Sequence, residues 1–241
     1  MEPETRQRLL ALNRSFYERF ARPFADSRSI AQAGLTRALA VIPDGACVLD
    51  VGCGDGRAAR ALERQGRRLS YLGLDASPSL ISLARERASA LSGVAARFLV
   101  ADVTQADWPL ALEGHTFDYV LALALLHHIP GYDLRLRLMQ QMARLLRPSG
   151  VLIASTWQFL NDERLRRKMV PWQAIGIDES QVEPGDYLLD WRRGGYGLRY
   201  CHLLGEVELR SLCEEAGLSL KETFLADGNL SLYAIATRPP G

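Results

Sequence analysis

Three carboxylates and a set of alternating glycines carry the most specific chemistry in this chain. A short apolar run, Val48-Leu49-Asp50-Val51, leads into Gly52-Cys53-Gly54-Asp55-Gly56 and then into a helix-like segment from Arg57. Glycine lacks the Cβ that would hold a ligand away from the main chain, so such a loop lets backbone N–H groups meet the ligand directly. Asp50, ahead of the first glycine, accepts hydrogen bonds and therefore faces a donor on the ligand. A second apolar run, Tyr71-Leu72-Gly73-Leu74, ends in Asp75, where nucleotide-binding α/β folds hold ribose hydroxyls. A third, Ala96-Arg97-Phe98-Leu99-Val100-Ala101, ends in Asp102. The ligand implied joins hydrogen-bond donors to a nucleoside.

Strands must deliver these acids to one edge. The alternation of strand and helix implies right-handed crossovers and a parallel sheet. Arg57 to Gly66 reads as the first crossover helix, and Ser77-Pro78 opens the next, with Ser77 as N-cap and Pro78 at the first helical position. Phe117 to Leu123 is a fourth strand, Leu134 to Leu146 a helix, and Arg147-Pro148-Ser149-Gly150 a turn into a fifth strand, Val151 to Ser155. Glu206 to Ala216 is an amphipathic helix stopped by Gly217; the runs Ser219 to Leu225 and Asn229 to Ala236 are close enough to pair antiparallel. Ahead of the first strand, Leu9, Phe16, Tyr17, Phe20, Leu35 and Leu39 recur at helical spacing, as core or as a lid over the cleft.

Gly54, Gly56 and Ala59 alone would also satisfy a dinucleotide-binding pattern. Asp50 ahead of the glycines and Asp102 after the third strand break the tie. The ordered set Asp50-Val51-Gly52-Cys53-Gly54-Asp55-Gly56, Asp75 and Asp102 resembles the binding signature of class I S-adenosylmethionine-dependent methyltransferases, from about residue 43 to 155. The resemblance implies an α/β fold: a seven-stranded Rossmann-like sheet with N-terminal helices and an insertion after the fifth strand. It implies S-adenosylmethionine as cofactor, with Asp50, Gly52, Cys53, Gly54 and Gly56 around the methionine part. Asp75 and Ala76 would hold the ribose, Asp102 and Val103 the adenine, and Leu123 the opposite wall. The organisation expected is a single domain over residues 1–241: a helical lid (1–42), a cofactor core (43–155), a substrate arm (156–204) and a closing helix and hairpin (205–241).

Composition sets outer bounds. With 48% apolar and 24% charged residues, the 241-residue chain can bury a substantial core, which excludes wholesale disorder. A net charge of +1 excludes a nucleic-acid binder driven by bulk charge, although nearly every basic residue is arginine. Four cysteines without a C-x-x-C pair, no leader-like N-terminus and no long apolar run predict reduced thiols, a cytoplasmic location and no membrane partner. No set of side chains at metal-ligand spacing appears: His127 and His128 are adjacent, and adjacent residues of a strand point opposite ways. One of them, His127, is expected at the cleft on the acceptor side.

The arm brings arginines together with Trp191, Tyr196 and Tyr200, a combination suited to stacking a base and pairing a phosphate or carboxylate. A second, narrower resemblance lies in Phe24-Ala25-Asp26-Ser27-Arg28, in Arg199-Tyr200-Cys201-His202-Leu203 and in Gly228-Asn229-Leu230. These are similar to the tRNA methyltransferases that esterify 5-carboxymethyluridine at the wobble position, with Cys201 standing where that family has a second tyrosine. The resemblance implies Arg199, Tyr200 and His202 as the catalytic group that orients the uridine and its carboxylate, and Arg28, His127, Trp191 and Asn229 as substrate contacts. It also implies tRNA as partner, with a small activating protein as a further one. A carboxylate acceptor needs no base at neutral pH, in keeping with a sequence that shows no base with an orienting partner. Two alternatives remain open at this point: methylation of a small-molecule metabolite, and a non-catalytic module that only binds the cofactor.

Overall fold

The computed structural model describes residues 1–27, 32–112 and 114–240, the Ala111 side chain excepted. Three helices, α1 (Pro3–Arg19), α2 (Ala21–Asp26) and α3 (Ala33–Leu39), precede the first strand. The alternating part follows as β1 (Cys47–Val51), α4 (Arg57–Arg64), β2 (Leu69–Asp75), α5 (Pro78–Ala88), β3 (Val94–Val100), β4 (Phe117–Leu123), α6 (Tyr132–Leu145) and β5 (Leu146–Trp157). The arm contributes α7 (Glu163–Arg166), β6 (Met169–Val170), β7 (Asp186–Trp191) and β8 (Gly197–His202). The chain closes with α8 (Glu206–Glu215), β9 (Ser219–Ala226) and β10 (Ser231–Thr237).

The main sheet has seven strands in the order β3-β2-β1-β4-β5-β10-β9. Its first five strands are parallel, and β10 runs antiparallel to both β5 and β9. Because both faces are covered by helices, β1 reads as a nearly continuous apolar run. Val48 packs with α3, α4 and α5 on one face, while Leu49 and Val51 pack with α6 and α8 on the other. The N-cap at Ser77 is as expected, its hydroxyl accepting from the Leu80 N–H at 3.1 Å.

Two features differ from the sequence reading. Arg147 to Gly150 does not separate helix from strand: Phe117 pairs with Leu146 and Tyr119 with Val151, so this turn bulges out of a strand already begun. The arm, for which no sheet was expected, folds into a second, three-stranded antiparallel sheet, β6-β7-β8. No helix among the described residues is long and apolar enough to cross a membrane.

Candidate functional site

The carboxyl ends of β1, β2, β3 and β4 open into one cleft, roofed by α1 and α2. After β1 the chain turns through Gly52, Gly54 and Gly56, all at positive φ. A Cβ on Gly52 would stand 2.9 Å from Leu125 Cδ1, whereas one on Gly54 would meet no protein atom and would project into space a ligand can use. Gly52 N–H and Cys53 N–H both donate to the Leu74 carbonyl, at 2.8 and 2.9 Å, which fixes the loop against β2.

Asp50 lies at the floor, 2% exposed. Its Oδ2 accepts from the Tyr71 hydroxyl, and its Oδ1 has no partner among the described residues. Burial pushes its carboxyl up to about 7. Such an orphaned acceptor demands a donor, and the α-ammonium of a methionine moiety is one. Asp75 accepts from Gly54 N–H at 3.0 Å and Ser77 N–H at 2.9 Å, and burial pushes it up to about 6. Each oxygen keeps a further lone pair for a hydroxyl. Burial also raises Asp102, but hydrogen bonds from Thr104 and Gln105 and the Arg14 charge outweigh it and hold the carboxyl below its ordinary value. These groups fit S-adenosylmethionine: an orphan acceptor for the ammonium, a carboxylate for the ribose and a third for the adenine amino group.

The roof touches every wall. Arg14 pairs with Asp102, and Glu18 accepts from the Ser77 hydroxyl at 2.6 Å and the Ser79 hydroxyl at 2.5 Å. The Tyr17 hydroxyl lies 2.7 Å from His128 Nε2. At the end of β4, Ala124 takes a φ of 56°, rare for a residue with a Cβ. It is held there by its N–H donating to the Ser155 carbonyl and hydroxyl, both at 3.0 Å.

Asp50, Gly52, Cys53, Gly54, Asp75, Ala76, Asp102, Val103 and Leu123 all line this cleft. Gly56 does not; its left-handed conformation, φ 73°, starts α4. The residues expected around the acceptor are distributed otherwise. Arg28 lies outside the described residues. His128, not His127, lines the cleft: a tight helical turn over Leu126–His128 buries His127 completely, its ring packed on His128 and Trp157. Asn229 sits at positive φ in the β9–β10 turn, where its carbonyl accepts from Asn161 Nδ2 at 2.8 Å, away from the cleft wall. Trp191 is buried among Phe16, Phe20 and Phe24, with its indole N–H donated to the Arg193 carbonyl.

Tyr200 and His202 do not line the cleft either. Tyr200 OH donates to Asp186 Oδ1 at 2.6 Å, and His202 bridges Asp186 at 2.7 Å and Glu208 at 2.8 Å. Burial works against a charged imidazole, but the two carboxylates outweigh it and hold His202 above its ordinary value. Fully buried Arg135 completes the cluster by pairing with Glu183 at 3.0 Å and Glu208 at 2.8 Å. Ligand-type atoms of Glu183, Asp186 and His202 come within 4.8 Å of one another, yet Arg135 already supplies the positive charge there. The network ties the arm to α6 and α8.

Arg199 does not line the cleft either, but its surroundings differ. It is 6% exposed, its Nε has no hydrogen-bond partner, and it makes no ion pair among the described residues. Its guanidinium carbon lies 4.8 Å from the Trp157 ring centre, 5.5 Å from Phe16 and 5.6 Å from Trp191. Tyr17, one of the aromatics expected as core or lid, lines the cleft, whereas sequence reasoning missed Asn13 and Arg14 as cleft residues. Polar Asn13, one turn after Leu9 and just before Phe16 on an apolar helix face, was the available signal.

A family model for a methyltransferase domain matches residues 48–150. A protein of Encephalitozoon cuniculi described as a methyltransferase is 30% identical over 72% of this chain and 70% of its own length. Mouse "Probable tRNA methyltransferase 9B" is 28% identical over 71% of this chain, which spans only 36% of that relative's length. A ubiquinone biosynthesis O-methyltransferase of Chelativorans is 29% identical over 74% of this chain and 61% of its own. Among solved structures, a chain from the complex of a Haloferax volcanii methyltransferase with the Trm112 activator shares the fold, with TM-score 0.61, 19% identity and coverage of 95% of this chain and 98% of that one.

Proposed function

The chain belongs to the class I S-adenosylmethionine-dependent methyltransferases, and we propose that its acceptor is a carboxylate: the carboxymethyl group of a modified wobble uridine in tRNA. The observation that carries this reading is Arg199, a buried cation with no acid beside it among the described residues. A desolvated charge without a partner is costly, so the site favours an anion that arrives with the substrate. Arg199 is caged by Phe16 and Trp157, while Tyr17, which follows Phe16, and His128, which packs on His127 beside Trp157, line the cleft.

S-adenosylmethionine, when bound, supplies an electrophilic methyl group on a sulfonium. The work left to the protein is alignment. Asp50 and Asp75 fix the cofactor end, and the ring pair Tyr17 and His128 forms the passage between cofactor and acceptor. Arg199 offers two N–H groups to a carboxylate and turns one oxygen towards that passage. The carboxylate is ionised at neutral pH, so no side chain must take a proton.

The second reading is a small-molecule acid or hydroxyl acceptor, supported by the ubiquinone-pathway relative. A small activating partner also belongs to the proposal. Its support is the Haloferax neighbour, together with the edge position of β3, where Leu99 and Val100 are 40% and 51% exposed. The test is transfer of radiolabelled methyl from S-adenosylmethionine to bulk tRNA from cells lacking this protein, followed by mild alkali. Alkali-labile tRNA label supports the wobble-carboxylate reading. Label absent from tRNA but recovered in a small acid supports the second.

A further inference from the structure

Two basic segments well separated in the chain are brought to one end of the arm sheet by its register. Strand β6 pairs antiparallel with β7, Met169 opposite Leu189, and the Asp190 N–H donates to the Lys168 carbonyl at 2.9 Å. Arg164 to Lys168 therefore lies beside the β7–β8 hairpin turn, which begins after Trp191 and returns at Gly197. That turn carries Arg192, Arg193 and Tyr196. It is seated on the lid: a Cβ on Gly194 would stand 2.6 Å from Pro23 Cγ, and one on Gly195 would stand 3.9 Å from the Arg19 guanidinium.

Residues 162–168 and 190–196 carry six basic side chains and three acids, Asp162, Glu163 and Asp190, and Arg19 at the end of α1 adds a seventh cation. Arg19, Arg166, Lys168 and Arg193 make no ion pair among the described residues. In the pairs that do form the arginines stand at the surface, with Arg164 85%, Arg167 74% and Arg192 76% exposed in their side chains, while Asp162 and Asp190 are 16% and 11% exposed. Of these, only the Arg167–Glu163 pair is exposed on both sides and gives way to a phosphate at little cost. The acids of the other end of β7 are no counterweight, because Asp186 and Glu183 are already engaged by His202 and Arg135. At the basic end Tyr196 is 52% exposed, with the Arg192 guanidinium 5.5 Å from its ring centre.

From this placement we propose that the β7–β8 turn, the α7–β6 segment and the end of α1 form one docking surface for single-stranded RNA. It rests on the tRNA reading above and adds where the RNA lies. Phosphates run along Arg166, Lys168, Arg193 and Arg19, and an unpaired base stacks on Tyr196. The caged Arg199 sits on β8 beneath the same turn, so a strand held here presents a neighbouring nucleotide to the acceptor passage. An acidic peptide would use the cations but has no use for the exposed ring.

The test is fluorescence anisotropy with a 5′-labelled anticodon stem-loop, over a salt series, with cofactor binding measured calorimetrically in parallel. The double variant Arg166→Glu/Arg193→Glu should lose about tenfold or more in RNA affinity and flatten the salt dependence, as fewer counterions are released. Tyr196→Ala should lose about tenfold in affinity and keep the wild-type salt slope. Both should bind the cofactor as wild type does. Wild-type RNA affinity in both variants overturns the surface and leaves the tRNA reading standing. A wild-type protein that binds no stem-loop overturns both. Loss on charge reversal with no effect of Tyr196→Ala, and equal competition by heparin, overturns the assignment to RNA.

Discussion

The side chain of Asn13 in the roof helix binds the main chain of Tyr200 in the arm as a neighbouring strand would. Its Oδ1 accepts from the Tyr200 N–H at 2.8 Å and its Nδ2 donates to the Tyr200 carbonyl at 3.1 Å. The same Nδ2 donates to the His128 carbonyl at 3.2 Å. One carboxamide thereby caps the open edge of β8 and holds lid, arm and cleft wall together.

Replacing Asn13 by alanine should leave the Tyr200 N–H and the His128 carbonyl without their partners, while the Tyr200 carbonyl keeps His128 Nδ1 at 3.3 Å, and cost about 2–5 kcal/mol of stability in urea unfolding. Asn13→Asp should be no better, since a carboxylate cannot donate to either carbonyl. In folded Asn13→Ala protein the acceptor KM and kcat should change more than cofactor affinity, because the substitution cuts hydrogen bonds between roof and arm and none to the acids of the cofactor cleft.

Asp50 couples fold and function in opposite senses. Its carboxyl is raised to about 7 in the folded chain from an ordinary 3.8, so the folded state holds a proton that the unfolded chain releases near pH 4. Stability from this group is therefore greatest at low pH, falls as pH rises, and is flat above about 7. Asp50→Asn should raise the thermal midpoint of the ligand-free protein at pH 8 and leave it nearly unchanged at pH 4. Cofactor binding should show the reverse trend: wild-type affinity falls as pH drops below about 7, and the variant loses about tenfold or more at pH 8.

Arg199→Met keeps the bulk of the side chain and removes the charge. The caged position should accept it without loss of stability, since no ion pair among the described residues is broken. Turnover should fall by about a hundredfold or more, with cofactor affinity unchanged in calorimetry. Wild-type turnover in this variant would remove the carboxylate clamp.

His202→Gln tests the Asp186–His202–Glu208 bridge. The imidazole is raised above 6.5 in the fold, so its contribution to stability is complete below 6.5 and is lost as pH rises through the higher, folded value. The stability gap between wild type and His202→Gln should be wide at pH 6 and narrow at pH 9, measured by chemical unfolding at both.

That Asp50, Gly52, Gly54, Asp75 and Asp102 meet in one cleft could be read from the sequence because each signal is local. Each acid stands at the end of its own apolar run, and the glycines stand next to the first acid. The acceptor half depends on contacts that no local pattern encodes. Tyr200 and His202 look like site residues until Asp186 and Glu208, from two other elements, take up their polar atoms. His127 and His128 exchange roles because the chain leaves β4 through a tight helical turn, in place of the strand geometry expected for adjacent residues. The arm sheet was invisible for the same reason: β6 has two residues, and only its pairing with β7 makes it a strand.

The link between Asn13 and Tyr200 spans 187 positions of the chain. On a ribosome the roof helix is made 187 residues ahead of its seat on β8. Until β8 emerges, Leu9 and Phe16 lack their cover from the arm, and the roof is held over the groove by Arg14, Tyr17, Glu18 and the packing of Phe16 and Phe20 on α5. A contact this distant in sequence closes a long loop, and such loops close late. The nascent protein therefore completes the roof of its cleft only after β8 has emerged, and until then Asn13 lacks the main-chain partners it has in the folded protein.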